Sequence, residues 1–172
     1  MYTYCLYCEA GKSIYVAAEL MAQLNCQAVI PKQVQHTFSK GKWTNRVHNL
    51  LPGYLFIYAE EPIEMFTCKM TPGVVRCLKS NEAQYELQGR DQDFALYLYE
   101  KKGIIGKTQV IERDGRLEII PISFHRADVS IARVDRRNRR MKINIRFLRQ
   151  TFSTWIEYEI VKQEPSNEQE PQ

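Results

Sequence analysis

The sequence lacks the motifs that most enzymes and membrane proteins carry. It has no glycine-rich phosphate loop, no nucleophile elbow and no HExxH zinc signature, and its three histidines stand far apart. No apolar run approaches the roughly 18 residues of a membrane helix. The first residues also lack the basic start and apolar stretch of a signal peptide. We therefore expect a cytoplasmic, non-enzymatic protein with no catalytic residues, cofactor, metal or membrane association.

A disulfide framework is also unexpected, because the five cysteines form an odd and irregularly spaced set. Cys5 and Cys8 have the CxxC spacing of redox and zinc sites, but the segment around them has the pattern of a strand. Residues three apart on a strand point to opposite faces, so the two thiols would not converge. The sequence predicts buried, reduced cysteines.

Positive charge is concentrated in the second half of the chain. Residues 1–102 hold 11 Lys/Arg against 10 Asp/Glu, whereas residues 103–163 hold 13 against 7. Residues 164–172 add three Glu and no base, and have no apolar residues to bury. A polyanion would therefore bind the second half, and residues 164–172 are predicted to be a disordered tail.

The first 102 residues alternate between strand and helix patterns. Strands or extended segments are predicted at residues 2–8, 27–38, 54–58 and 74–78, with a basic loop at 39–42. Helices are predicted from Gly11, from Pro62 and over about Asp91–Lys102. Their apolar positions are Ile14, Ala17, Ala18, Met21 and Leu24 in the first helix, and Ile63, Phe66 and Met70 in the second. This βαββαβα order predicts an antiparallel sheet with helices packed on it.

The second half has the pattern of a small β-barrel. A turn at Asp114-Gly115 lies between two apolar segments and predicts a hairpin. Further strands are predicted at residues 131–135, 142–147 and 156–160; their inward positions include Ile143, Ile145, Phe147, Ile156, Tyr158 and Ile160. The predicted class is α+β: a first domain at 1–102, a linker at 103–107 and a barrel at 108–163.

Several motifs resemble those of the NusG family. Leu51–Phe56 (LPGYLF) resembles the signature of the NusG N-terminal domain, and Thr71–Val75 (TPGVV) resembles its Pro-Gly-Val turn and strand. Tyr4–Cys8 is similar to the first strand of the specialised paralogue RfaH. Ile131–Val161 looks like a KOW domain, which is an SH3-like barrel. The resemblance covers residues 2–162.

This resemblance implies a transcription elongation factor. In the family, the N-terminal domain seats an apolar depression on the clamp helices of RNA polymerase and suppresses pausing. Tyr54, Phe56 and Tyr58 share one face of their strand, whereas Leu55 and Ile57 on the other face are expected to be core. The residues that would line or support the depression are Tyr7, Leu51, Pro52, Tyr54 and Phe56.

A basic cluster in the C-terminal half points to RNA. Its nine members are Arg126, Arg133, Arg136, Arg137, Arg139, Arg140, Lys142, Arg146 and Arg149. Its centre is a predicted turn in which Asn138 can take the left-handed conformation. Guanidinium groups suit bidentate contacts to phosphate and base edges. The pattern resembles LoaP, a NusG paralogue whose KOW domain binds an RNA hairpin in the leader of long operons, and therefore implies antitermination.

The sequence leaves three alternatives open. The arginine turn can be a solvated surface without a ligand. A general NusG factor would use its KOW domain to hold a ribosomal protein or the termination factor Rho. A ribosome-associated KOW protein would bind RNA without polymerase, although the apolar segment Leu51–Phe56 speaks against it. In each case we expect a monomer.

Overall fold

The computed structural model describes residues 1–120 and 128–162. The elements up to residue 105 are β1 Tyr2–Cys8, α1 Ser13–Gln23, β2 Gln27–Val29, β3 Lys32–Ser39, β4 Lys42–Asn49, β5 Tyr54–Ala59, α2 Met65–Met70, β6 Val74–Cys77, α3 Gly89–Glu100 and β7 Ile104–Ile105. They are followed by β8 Thr108–Arg113, β9 Arg116–Ile119, β10 Asp128–Asp135, β11 Arg140–Phe147 and β12 Gln150–Ile160. This mixture of sheets and helices confirms the predicted α+β class.

The strands of the described residues form three sheets. The central sheet has the order β2-β5-β1-β6, and all of its pairs are antiparallel. A smaller sheet consists of the β3–β4 hairpin and β7, which lies within the predicted linker and pairs in parallel with β3. The C-terminal sheet has the order β10-β11-β12-β8-β9, and its β8–β9 hairpin turns at Asp114-Gly115 as predicted.

Strand β5 separates the two hydrophobic cores. Leu55 and Ile57 point to one face, where they pack with Val16 and Leu20 of α1. Tyr54, Phe56 and Tyr58 point to the opposite face, where α3 and the C-terminal sheet cover them. The predicted alternation is therefore confirmed, and both faces of this strand are buried.

Cys5 and Cys8 lie on opposite faces of β1, as their spacing predicts. Cys5 belongs to the core shared with α3, whereas Cys8 belongs to the core shared with α1. Burial raises the pKa of the Cys5 thiol well above its usual value and raises that of Cys8 to about 11. Burial likewise raises the pKa of Cys68 to about 12. Since the thiolate is the nucleophile and the metal ligand, these raised values oppose both roles near neutral pH.

We expect these thiols to be unreactive in the folded protein. At about pH 8, Cys5, Cys8 and Cys68 should react with a disulfide reagent far more slowly than all five cysteines do in denaturant, because little thiolate forms below a raised pKa. The measurement is a colorimetric thiol titration, with zinc determined by elemental analysis on the same sample. Rapid native labelling of Cys5 or Cys8, or about one zinc per chain, would contradict the strand geometry.

The first two helices differ from prediction. Helix α1 begins at Ser13, and it buries Val16, Ala17 and Leu20, while Ile14 of the predicted face is 70% exposed. Two adjacent stripes of this helix are apolar, so spacing alone could not select the buried one. Helix α2 begins at Met65 and not at Pro62; it buries Cys68 and leaves the predicted positions Phe66 and Met70 exposed.

Helix α3 lies two residues earlier than predicted, at Gly89–Glu100, with Asp91 in its first turn. Gly103 follows it with a φ of 73°, and its N–H donates to the Leu98 carbonyl at 2.7 Å. A Cβ on Gly103 would lie 2.5 Å from Val29, so this position requires glycine for both conformation and space.

Strand β4 was not predicted. The basic loop expected at 39–42 is instead a tight turn, with Lys40 and Gly41 at positive φ, and Lys42–Asn49 pairs along all of β3. Every residue of β4 is exposed, so the alternation of buried and exposed positions that signals a strand is absent. Ile160, expected to point inward, is also exposed.

Candidate functional site

The aromatic face of β5 lies beneath the C-terminal sheet. The Phe56 ring is 5.3 Å from the Phe147 ring of β11, and the Tyr54 ring is 5.1 Å from the Phe152 ring of β12, between ring centroids. Phe147 also lies 5.7 Å from Phe94 of α3. Phe147 therefore inserts between the central sheet and α3, which makes the N-terminal and C-terminal parts share one hydrophobic core.

This packing covers most of the residues expected to contact the polymerase. Leu51, Tyr54 and Phe56 are buried, with Phe56 at 0% and Tyr54 at 6% exposure. Tyr7 is half-buried with its ring 5.3 Å from that of Tyr54, and Pro52 is exposed. The five residues do lie close together, but a partner can reach only the edge of the group while the C-terminal sheet is in place.

The turn between β11 and β12 adds polar contacts to this interface. The Leu148 N–H donates to Asp91 Oδ1 at 3.0 Å, and the Tyr54 hydroxyl donates to Gln150 Oε1 at 3.1 Å. Burial raises the pKa of Asp91, while the Leu148 N–H opposes that change by stabilising the carboxylate. Leu148 and Arg149 both have positive φ, so the turn has a defined and unusual backbone conformation.

A second, polar seam joins β3 to β12. The Gln33 side chain donates to Thr154 Oγ1 at 3.2 Å. The Glu157 carboxylate accepts the His36 backbone N–H at 2.6 Å and lies 2.7 Å from His36 Nδ1. Because Glu157 is almost fully buried, these two contacts supply the partners its carboxylate needs. The seam holds the β3–β4 hairpin against the C-terminal sheet.

The arginine turn joins β10 to β11 and has a fixed backbone. Asp135 accepts hydrogen bonds from the backbone N–H and the side-chain amide of Asn138, and these bonds lower the pKa of Asp135. Arg139, and not Asn138 as expected, takes the left-handed conformation with a φ of 49°. The Asn138 side chain is engaged by Asp135, so the turn places the positive φ one residue later. The Arg139 carbonyl then accepts the Tyr158 N–H at 3.0 Å.

The arginines of this turn differ in availability. Arg136 is engaged, since its guanidinium lies 2.8 Å from Glu112 Oε1 and donates to the Gly115 carbonyl at 2.7 Å. Arg137 and Arg139 are exposed, and across residues 1–120 and 128–162 neither forms an ion pair. These two guanidinium groups are therefore free to bind an anion.

The other basic residues of the predicted RNA-binding cluster do not form one continuous patch with this turn. Arg140 is half-buried at the start of β11, and Arg133 lies opposite Lys142 across the β10–β11 pair. Arg146 and Arg149 lie near the other end of β11, roughly 20 Å from Arg140 at the usual rise per strand residue. Arg126 lies outside the described residues. The predicted cluster is thus divided between two ends of the C-terminal sheet.

The structure also reveals a pair of residues that the sequence reading missed. Phe38 and Trp43 face each other across the β3–β4 hairpin with ring centroids 5.1 Å apart, and both are strongly exposed. They line one cleft together with Arg137 and Arg139. Their sequence signal is an aromatic residue on each side of the basic segment 39–42, for which the sequence predicts a loop.

Within the described ranges, no three His, Cys, Asp or Glu side chains converge in an arrangement that could hold a metal ion. None of the helices described has the length and hydrophobicity needed to cross a bilayer. The candidate sites of the described residues are therefore the aromatic interface and the arginine turn with its cleft.

Comparison with known proteins agrees with this architecture. A structure of NusG from Thermotoga maritima, described for its domain interaction, matches 91% of this chain and 93% of that chain. The TM-score is 0.58 and the identity is 18%, which supports the fold. No curated protein sequence matches the chain. The family model "Transcription termination factor nusG" matches residues 1–94. NusG-family proteins are non-enzymatic transcription factors that generally bind RNA polymerase. Because that model matches more than half of the residues, this chain belongs to the NusG family.

Proposed function

We propose that this chain is a specialised transcription elongation factor, of the kind that LoaP and RfaH represent. It binds the clamp helices of RNA polymerase, promotes processive antitermination and contacts a leader RNA hairpin through a C-terminal KOW domain at residues 108–163. The observation that carries the proposal is the arginine turn, in which Arg137 and Arg139 project from a fixed backbone without intramolecular ion pairs among the described residues.

The geometry of the turn suits a phosphate ligand. Asn138 is bonded to Asp135, and the Arg139 carbonyl accepts the Tyr158 N–H, so the backbone between β10 and β11 is held in one conformation. Two exposed guanidinium groups on such a turn lose little backbone freedom on binding. Each can donate two parallel hydrogen bonds to a phosphate or to a base edge. A hairpin loop is a better ligand than a plain duplex, because A-form RNA hides its base edges in a narrow groove.

The polymerase contact in this proposal uses the aromatic face of β5. Tyr54 and Phe56 are the residues of this strand that the sequence predicts to contact polymerase. In this structure, Phe147 and Phe152 cover them. Clamp helices can reach these side chains only after the C-terminal sheet moves away. Tyr7 and Pro52, at the open edge of the same group, are the residues accessible before that separation.

RNA binding by the full chain tests the proposal directly. If the turn and its neighbours neutralise about four phosphates, log K should fall against log salt with a slope of about −3 to −4. Replacing both Arg137 and Arg139 with alanine should reduce that slope by up to about 2, because both guanidinium groups are free. The measurement is fluorescence anisotropy with a labelled RNA hairpin at several salt concentrations.

Arg136→Ala is the matched control, since this arginine is occupied by Glu112 and the Gly115 carbonyl. It should change the salt slope much less than the double substitution does. Absence of RNA binding near physiological salt, together with a complex between this chain and a ribosomal protein or Rho, would contradict the specialised role. The chain would then function as a general NusG factor, and its membership of the family would be unaffected.

A further inference from the structure

A cleft lies between the β3–β4 hairpin and the arginine turn. Its volume is about 580 Å³, which is within the range of sites that hold small ligands. It is lined by Phe38 and Trp43 of the hairpin and by Arg137 and Arg139 of the turn. His36 and Glu157 also line the cleft, and their contact of 2.7 Å joins β3 to β12. Both halves of the chain therefore contribute to one concave surface.

Phe38 and Trp43 are paired directly across the β3–β4 hairpin, and neither belongs to a hydrophobic core of the described residues. The two side chains are 59% and 71% exposed and contact each other, and Val34 and Val47 form the other apolar pair across these strands. Contiguous exposed apolar side chains mark binding surfaces more often than scattered single apolar residues do. Flat side chains at the mouth of a basic cleft are suited to stacking against nucleic-acid bases.

The charge of the cleft favours a polyanion. Arg137, Arg139, Arg140 and Lys107 line it, and Lys40 and Lys42 lie at the hairpin tip beside Trp43. Two acidic residues also line the cleft. Glu157 is bonded to His36, and Glu159 lies 3.4 Å from the Gln109 amide. The bases outnumber the acids, and each oxygen of the Glu157 carboxylate already contacts His36.

We propose that this cleft binds an unpaired segment of RNA, with one or two bases stacked on Phe38 and Trp43 and the adjoining phosphates held by Arg137, Arg139 and Lys107. The inference rests on the RNA-binding role proposed above and extends it to the β3–β4 hairpin. Unpaired nucleotides are required, because paired bases do not expose the faces that an aromatic platform stacks on. In the arrangement with the C-terminal sheet docked, the RNA site thus spans both halves of the chain and is not confined to the C-terminal sheet.

Trp43 provides a direct spectroscopic test of stacking. The chain has two tryptophans, so Trp155→Phe in the full chain leaves Trp43 as the single emitting one. The probes are a 12-nucleotide single-stranded RNA of mixed sequence, the same RNA annealed to its complement, and the matching single-stranded DNA. We expect the single-stranded RNA to quench Trp43 emission in a saturable way and the duplex to quench it far less. Equal quenching by duplex and single strand, or stronger quenching by DNA, would overturn the assignment.

Binding of labelled single-stranded RNA to substituted chains completes the test. Phe38→Ala and Trp43→Ala should each raise Kd by about 5- to 150-fold, the range expected for loss of one stacked base. Phe66→Ala is the matched control, because Phe66 is another exposed aromatic residue that does not line the cleft, and its Kd should not change.

The outcomes separate this inference from the function on which it rests. Unchanged affinity in Phe38→Ala and Trp43→Ala, together with weakened binding in the Arg137→Ala, Arg139→Ala chain, would overturn the aromatic platform and leave RNA binding by the turn intact. Failure of the unsubstituted chain to bind any RNA would overturn both. Circular dichroism of each variant checks that the hairpin substitutions leave the fold unchanged.

Discussion

Replacing Phe147 with alanine is expected to tighten binding of the full-length chain to polymerase clamp helices. The Phe147 ring lies 5.3 Å from Phe56 and 5.7 Å from Phe94, so its loss removes the side chain that joins the C-terminal sheet to the N-terminal core. Truncation of a buried phenylalanine to alanine costs about 3–5 kcal/mol. Much of that loss would weaken docking of the C-terminal sheet and expose Tyr54 and Phe56.

The size of the effect follows from the population of the open form. If docking of the C-terminal sheet stabilises the closed form by about 3 kcal/mol, less than about 1% of the chains are open and able to bind clamp helices. The apparent Kd then equals the Kd of the open form divided by this fraction. Removing this restraint should therefore increase the apparent affinity by up to about 100-fold. Titration of a clamp-helix fragment with the parent chain and with the Phe147→Ala chain would measure this difference in apparent Kd.

The control for this experiment is Phe66→Ala, which removes an exposed ring far from the interface and should leave clamp affinity unchanged. Hydrogen exchange should show weaker protection at the β3–β12 seam in Phe147→Ala than in the parent. Suppose that hydrogen exchange shows the Phe147→Ala chain to be folded but without docking of the C-terminal sheet. If that chain binds clamp helices no better than the parent does, the polymerase contact lies elsewhere.

Replacing Phe56 with alanine is expected to destabilise the whole chain. Phe56 has no exposed surface, and its ring packs on both Phe94 and Phe147. The expected loss of stability is about 3–5 kcal/mol, from lost transfer free energy and the cavity that remains. For a chain of this length, that corresponds to a fall in Tm of roughly 6–20 °C.

Thermal melts followed by circular dichroism measure this effect. The matched control is Phe38→Ala, since Phe38 is the same residue type on an exposed hairpin and should change stability by less than about 0.5 kcal/mol. A Phe56→Ala chain that melts at the parent temperature would show that Phe56 is not a core residue. The expected outcome also means that loss of polymerase binding in Phe56→Ala cannot by itself identify a contact, whereas the exposed Pro52 provides a cleaner test.

Local sequence patterns correctly predicted those parts of the fold that depend on residues close together in the sequence. The alternation of Tyr54 and Phe56 with Leu55 and Ile57 follows from the two-residue period of a strand. The same geometry placed Cys5 and Cys8 on opposite faces. The turn at Asp114-Gly115 followed from the backbone freedom of those residue types.

Where a local pattern was absent or ambiguous, prediction failed. Strand β4 has no buried residue, so its pairing with β3 is visible only in the folded hairpin. Helix α1 has two apolar stripes, and the central sheet selects the one that contains Val16 and Leu20. Arg139 takes the left-handed conformation because Asp135 binds the Asn138 side chain. The conformational preferences of single residues do not include this contact.

By itself, the sequence determined the family, the α+β class, the aromatic face of β5 and the basic character of the second half, because composition, motifs and periodicity carry each of these. Only the tertiary structure decided what lies over that face and how the bases are distributed. Periodicity shows that Tyr54 and Phe56 share an apolar face, but Phe147 and Phe152, some 90 residues later, cover it. Likewise, Arg140 and Arg146 lie apart because they are near opposite ends of β11. Docking of β12 on β3 brings Trp43 and Arg139 into one cleft.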